Sequence, residues 1–273
     1  MKQHQQGSAL IVAIFMVVVS ALVAVSLLFS ERVMVNKVMF IKNYDQAYAI
    51  LQGPQIGSAS VIDEQSKYNI NNLVSPDNQW QWVQLLQAIA PELTSNQAMT
   101  MAMRIHNWLV PSQDDDLYSR LNPAYRAAHS PMFDVTELRT VFGMTAELYQ
   151  KIQPYITALP VDEGGTAINV NTAMLSTWMT LAPAMTVNTA RSIYNCRIDH
   201  GAFTDTETFQ KLCLQPLGLT IENTSGLTTI SRYFMVQSEL KIAHHQLALR
   251  QLVSKRLDKN QWVIQIVWQS QVM

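Results

Sequence analysis

The chain has 273 residues, 48% of them apolar and 14% charged, which suits a buried core and excludes an intrinsically disordered polypeptide. Nineteen Lys and Arg stand against 20 Asp and Glu, so a formal charge of -1 supplies no summed positive field for nucleic acid or anionic lipid. Any partner is held by shape and local contacts.

Residues Met1 to Gly7 are polar and include Lys2. From Ser8 to Phe29 run 22 residues with no charge, Gly or Pro, interrupted only by Ser20 and Ser26. At about 1.5 Å rise per residue this run spans roughly 33 Å, enough to cross a bilayer. A buried helix of a soluble protein is shorter and keeps a polar stripe, whereas this one is apolar on every side. Lys2 and the amino terminus favour retention on the cytoplasmic side, which places the rest of the chain across the membrane. A cleavable secretory signal has a shorter apolar core with a small-x-small site beyond it; Ala21 and Ala24 leave that alternative open.

Past the span, Tyr44, Ala47, Tyr48 and Leu51 recur at i, i+3, i+4 and i+7, predicting a helix with one apolar stripe that ends near Gly53-Pro54 and Gly57. A short strand and polar turn are expected between Asp63 and Leu73. From Trp80 to about Thr224 the pattern is helical, with Trp82, Leu85, Leu86 and Ile89 on one face and Met99, Met103, Ile105 and Trp108 on the next. The Met residues read as core filling. After Gly226 the period falls from about 3.6 to 2. Phe234, Val236, Leu240 and Ile242, then Leu247 to Leu257, then Trp262, Ile264, Ile266 and Trp268 predict three strands, with Asp258-Lys259-Asn260 as the last turn.

Chemistry-bearing motifs are sparse. Cys196 and Cys213 lie 17 positions apart, without the tight spacing of zinc ribbons or redox dithiols; they form one disulfide in an oxidising compartment or stay as two buried thiols. Asp114-Asp115-Asp116 is an acidic run of the kind hard cations such as calcium favour, and equally a solvated loop or helix cap. His106, His129, His200 and His244-His245 show no metalloprotease spacing, and no Gly-x-Ser-x-Gly elbow supplies a nucleophile. Catalytic residues are therefore not expected.

A short basic leader ending in Gly7, then Ser8 and about 20 apolar residues, resembles the type IV prepilin class. Further along, Asn69, Asn71, Asn72 and Leu73, the segment Phe133 to Gly143 leading to Leu159-Pro160, and Ile168-Asn169-Val170-Asn171-Thr172-Ala173 resemble the pseudopilin K family of type II secretion systems. The resemblance implies cleavage after Gly7 by a prepilin peptidase, with methylation of the new terminus at Ser8. It also accounts for Val12: most pilins carry Glu at that fifth mature position, and the pseudopilin K family is similar in lacking it, which fits a subunit at a fibre tip. The implied fold is α+β and pilin-like, with a long membrane and stem helix packed on a small antiparallel sheet and a large helical insertion. The implied segments are a leader (1–7), a transmembrane helix (8–30), stem and sheet (31–74 and 226–273) and the insertion (75–225).

The implied role is structural and non-enzymatic: a single-pass inner-membrane protein, carboxyl-terminal part in the periplasm, joining minor pseudopilins of the H, I and J types in a tip complex. No cofactor is expected. Some relatives bind calcium near this position, but Asn107-Trp108-Leu109-Val110-Pro111 lacks their spaced carboxylates, leaving Asp114, Asp115 and Asp116 as the candidates.

The alternative is a membrane-anchored helix-hairpin-helix DNA-binding or uptake protein, since Ile168 to Phe203 resembles such a hairpin. Its turn, Leu181 to Thr186, has no Gly and holds Pro183, and Asp134 to Glu222 carries nine acidic against five basic residues. That balance repels a phosphate backbone, so no nucleic-acid partner is expected.

Overall fold

The computed structural model describes residues 14–21, 59–111, 117–161, 165–183, 185–219, 226–242, 245–258 and 261–272. The leader pair Gly7 and Ser8, Val12, the stripe from Tyr44 to Leu51 and the run Asp114 to Asp116 lie outside the described residues. Residues 14–21 form helix α1, where the Ser20 hydroxyl satisfies itself by donating to the Met16 carbonyl at 2.7 Å. Among the described residues no helix is long and apolar enough to cross a membrane.

Two compact units divide the chain: Met1–Ala59, Gln237–Leu249 and Gln271–Met273 make one, Ser60–Val236 and Arg250–Ser270 the other. The second unit holds two modules built on one plan. The first runs from β1 (Ala59–Asp63) into β2 (Tyr68–Asn69), then α2 (Gln79–Ile89), α3 (Ser95–Leu109), α4 (Ala146–Ile152) and β3 (Ile156–Thr157). The second runs through β4 (Ile168–Asn169), α5 (Leu175–Trp178), α6 (Val187–His200), α7 (Thr206–Phe209) and β5 (Leu227–Thr228). Each module closes by a two-residue parallel pairing, β2 with β3 and β4 with β5. The predicted helical stretch 75–225 therefore contains strands. They are too short to show a period of two in the sequence.

Four of the helices begin where side chains satisfy their free amides. Thr94 and Gln97 form a reciprocal capping box before α3, Thr145 caps α4, Thr186 caps α6 and Asp205 caps α7. Asp134 and Glu137 make the same box at the 3-10 turn Val135–Thr140. The N-cap of α5 is Met174, which makes no side-chain bond there.

Apolar side chains gather into one cluster per module. Trp82, Leu85 and Leu86 from α2 meet Ala98, Ala102, Ile105 and Leu109 from α3 in the first. Trp178 stacks on Phe209 at 5.3 Å in the second, with Ala190 and Ile193 of α6 beside them. Ile105 and Trp108 are buried as expected, but Met99 and Met103 are exposed. The buried stripe of α3 passes through Ala98, Met101, Ala102, Ile105 and Leu109, and the two other Met residues fall outside it.

β1 joins β6 (Tyr233–Ile242), β7 (His245–Asp258) and β8 (Gln261–Val272) in a four-stranded sheet ordered β1-β6-β7-β8. Two-residue connections make β6, β7 and β8 an antiparallel meander. The strands lie where expected, but the faces differ. Tyr233 and Met235 are buried with Leu159 and Leu252, leaving Phe234 and Val236 only half-buried, while Trp262, Ile264 and Ile266 are 54%, 69% and 51% exposed. Alternation identifies a strand with two unlike faces; it does not say which face meets the core.

Candidate functional site

Paired asparagines set the geometry of both modules. Asn71 holds the Met132 backbone at both ends, accepting from its amide at 2.8 Å and donating to its carbonyl at 2.9 Å, and donates also to the Leu159 carbonyl at 3.0 Å. Asn171 repeats this on Phe203, accepting at 2.8 Å and donating at 3.0 Å, with a further bond to the Thr229 carbonyl at 3.1 Å. Two residues earlier, Asn69 and Asn169 each accept from the amide of the paired asparagine. An amide side chain donates and accepts at once, so it can substitute for a missing strand where the chain must stay irregular. Met132 and Phe203 each lie two residues before a capping aspartate, Asp134 or Asp205.

Asp63, at the end of β1, receives Gln65 N, Asn169 Nδ2 and the hydroxyls of Ser231 and Thr172. It ties the first strand of the sheet to the second module. Gln65 supports it, donating to the Ala167 carbonyl and accepting from the Tyr233 amide. The short strand expected between Asp63 and Leu73 is β2, but the polar residues around it are more than a local turn. Their tertiary partners are 61 to 168 positions away, a distance no local pattern records.

Between α3 and α4 opens a cleft of about 520 Å³ whose lining includes Leu93, Met101, Arg104, Gly143 and Leu148. Arg104 lies 4.6 Å from the centre of the Phe142 ring, and its guanidinium crosses Gly143, where a Cβ would collide with Nη1. Lys151 bonds Glu92 across the rim; that hydrogen bond holds the Glu92 carboxyl below its ordinary range and the Lys151 ammonium above its own. Both groups are open to water, so the pair is a screened surface contact.

Cys196 of α6 and Cys213 of the π-helical segment Gln210–Leu214 are joined by a disulfide with Cα atoms 5.6 Å apart. His200, one turn after Cys196, brings Nδ1 to 3.5 Å from the Cys196 sulfur and 2.9 Å from its carbonyl. Of the other histidines, His106 faces the Leu73 carbonyl at 2.8 Å, and His129 stands at φ 48° in a loop.

This arrangement has relatives. A family profile for type II secretion system (T2SS) protein K matches residues 66–161, the whole first module after its opening turn. Type II secretion system protein K of Pectobacterium carotovorum subsp. carotovorum is 28% identical over 187 residues, 63% of this chain and 56% of that protein. The protein K of Pseudomonas aeruginosa is 29% identical over 205 residues, 69% and 58% of the two chains. The chain resembles type II secretion system protein K. It spans just over half the length of these protein K relatives. The fold is that of a chain in the crystal structure of the GspK-GspI-GspJ complex from the enterotoxigenic Escherichia coli type 2 secretion system, with a TM-score of 0.61 and 22% identity over 79% of each chain. The likeness to protein K expected from Asn69 to Leu73 and Phe133 to Gly143 thus falls on residues that the profile covers.

Proposed function

We propose that the chain is a minor pseudopilin of a type II secretion system, a subunit of the tip complex that starts or caps a periplasmic pseudopilus for export of folded proteins across the outer membrane. The observation that carries this is a likeness kept in chain order: the protein K profile falls on residues 66–161 and the fold match extends over 79% of the chain. In this reading the protein is an assembly part, not an enzyme. Its partners are minor pseudopilins of the I, J and H types, the first two by analogy with the complex whose fold it shares.

The same proposal includes a single-pass inner-membrane anchor over residues 8–30, removal of Met1 to Gly7 by a prepilin peptidase, methylation at Ser8, and a stem helix packed on the sheet. Val12 fits a tip position: a carboxylate in hydrocarbon needs a paired amine, and a subunit with none above it needs no such group.

Co-expression with a prepilin peptidase, followed by amino-terminal sequencing, tests the anchor. The wild-type product is expected to start at Ser8 and a Gly7→Leu variant to keep Met1. An uncut wild-type chain, or a cut beyond Phe29, contradicts the proposal. Co-purification of the full chain with the H-, I- and J-type subunits tests the assembly role.

A further inference from the structure

We infer that Cys196, His200 and Cys213, once the disulfide is reduced, form a binding site for one zinc-class cation, so that disulfide and metal are alternative closures of the same loop. Among the described residues these three form a set whose ligand atoms all lie within 4.8 Å of one another. Cys196 and His200 share a face of α6 because four residues make about one helical turn. Cys213 arrives from Gln210–Leu214, where wider π-helical winding re-aims successive side chains.

One edge of the set suits a tetrahedral ion as it stands, and the two sulfurs, bonded in the oxidised chain, part to about 3.8 Å to receive it. With zinc at about 2.3 Å from sulfur and about 2.0 Å from nitrogen, the sulfur-to-nitrogen edge of a tetrahedron is about 3.5 Å. Cys196 Sγ and His200 Nδ1 are 3.5 Å apart. Burial is graded across the three, with Cys213 2% exposed, Cys196 half-buried and His200 open to solvent, which leaves a fourth position for water. Three protein ligands plus water is an established zinc arrangement, and two thiolates with one imidazole suit a soft or borderline cation over calcium or magnesium. The separation in sequence hides the set, because the third ligand comes from a different element.

The chemistry balances with a phosphine as reductant. The phosphine gives two electrons to the S–S bond and takes oxygen from water, and the two hydrogens of that water go to the sulfurs. On metal binding each thiol releases its proton. His200 binds as the neutral imidazole and exchanges its contact with the Cys196 carbonyl for the ion. The assembly role proposed above is not needed for this site.

Cobalt(II) is the probe, added to the purified full chain in detergent before and after phosphine reduction and read by absorption. The reduced chain is expected to take up one equivalent with intense four-coordinate and thiolate charge-transfer bands, displaced by zinc, while the oxidised chain shows none. His200→Ala is expected to weaken uptake at least tenfold and Cys213→Ser to abolish the charge-transfer band. Circular dichroism of the reduced chain and of a Cys196→Ser/Cys213→Ser double variant reports whether the fold survives without the bridge. No stoichiometric band in a folded reduced chain overturns the inference. So do equal uptake by the oxidised chain, unchanged uptake by His200→Ala, or a reduced chain that unfolds and is not restored by zinc.

Discussion

Asn71 carries more of the first module than its size suggests. Replacing it with Ala strips the Met132 amide and carbonyl of their side-chain partner in the interior and leaves the Leu159 carbonyl with Asn69 Nδ2. An orphaned buried polar group costs about 1–3 kcal/mol, and with partial relaxation Asn71→Ala is expected to destabilise the chain by about 3 kcal/mol, read from the denaturant midpoint. Asn171→Ala removes the matching bonds at a half-buried position and is expected to cost about half as much. If both variants unfold with the wild type, the clamps are not holding the modules.

Asp205 offers a pH readout. The Thr208 amide and then its hydroxyl hold the Asp205 carboxyl below its ordinary range. A carboxyl depressed in the folded state contributes stability above its unfolded pKa of about 4, and that contribution is lost as pH falls through the folded value. Asp205→Asn keeps a capping oxygen without the charge. The wild type is therefore expected to melt higher than Asp205→Asn near pH 7, with the gap closing as pH drops below about 4. A gap that stays constant with pH counts against the charged cap.

At the scale of elements, Gly143 is a position where only glycine fits. Its φ of +86° is in the left-handed region, and a Cβ there would meet the Arg104 guanidinium. Gly143→Ala is expected to cost about 1–3 kcal/mol in thermal or denaturant unfolding through strain alone; unchanged stability would mean that the turn before α4 is free to readjust. Much of this level is legible in the chain. The spacing of Thr94 and Gln97, the apolar period of α2, and the switch to alternation after Gly226 are local signals that mark where elements begin. What the pattern leaves open is set by distant partners. Phe234 and Val236 alternate as well as Tyr233 and Met235 do, and only Leu159 and Leu252 decide which pair is buried. The Cys196, His200 and Cys213 set was illegible for the same reason, since α6 and the segment after α7 meet only once the second module is folded.

For the whole molecule, the sheet presents Trp262, Ile264 and Ile266 to solvent. With its side chain in water, Ile264→Lys is expected to change the stability read from the denaturant midpoint by no more than about 0.5 kcal/mol. A larger loss would mean that the row is covered. The Asn71 clamp has a further consequence for how the chain tolerates growth. In the second module α6 reaches its clamped residue through Gly201 and Ala202 alone, whereas in the first a stretch from 110 to 131 separates α3 from Met132. Because Met132 is riveted in place by a side chain, lengthening the exposed part of that stretch costs closure entropy of about 0.6 kcal/mol for each doubling of length, while Tyr118 keeps the stretch anchored in the core. An insertion beside the exposed Asn122 is expected to be tolerated as long as Tyr118 keeps its buried place against Trp108 and Tyr125, a liberty the tight bend at Gly201 denies to its twin.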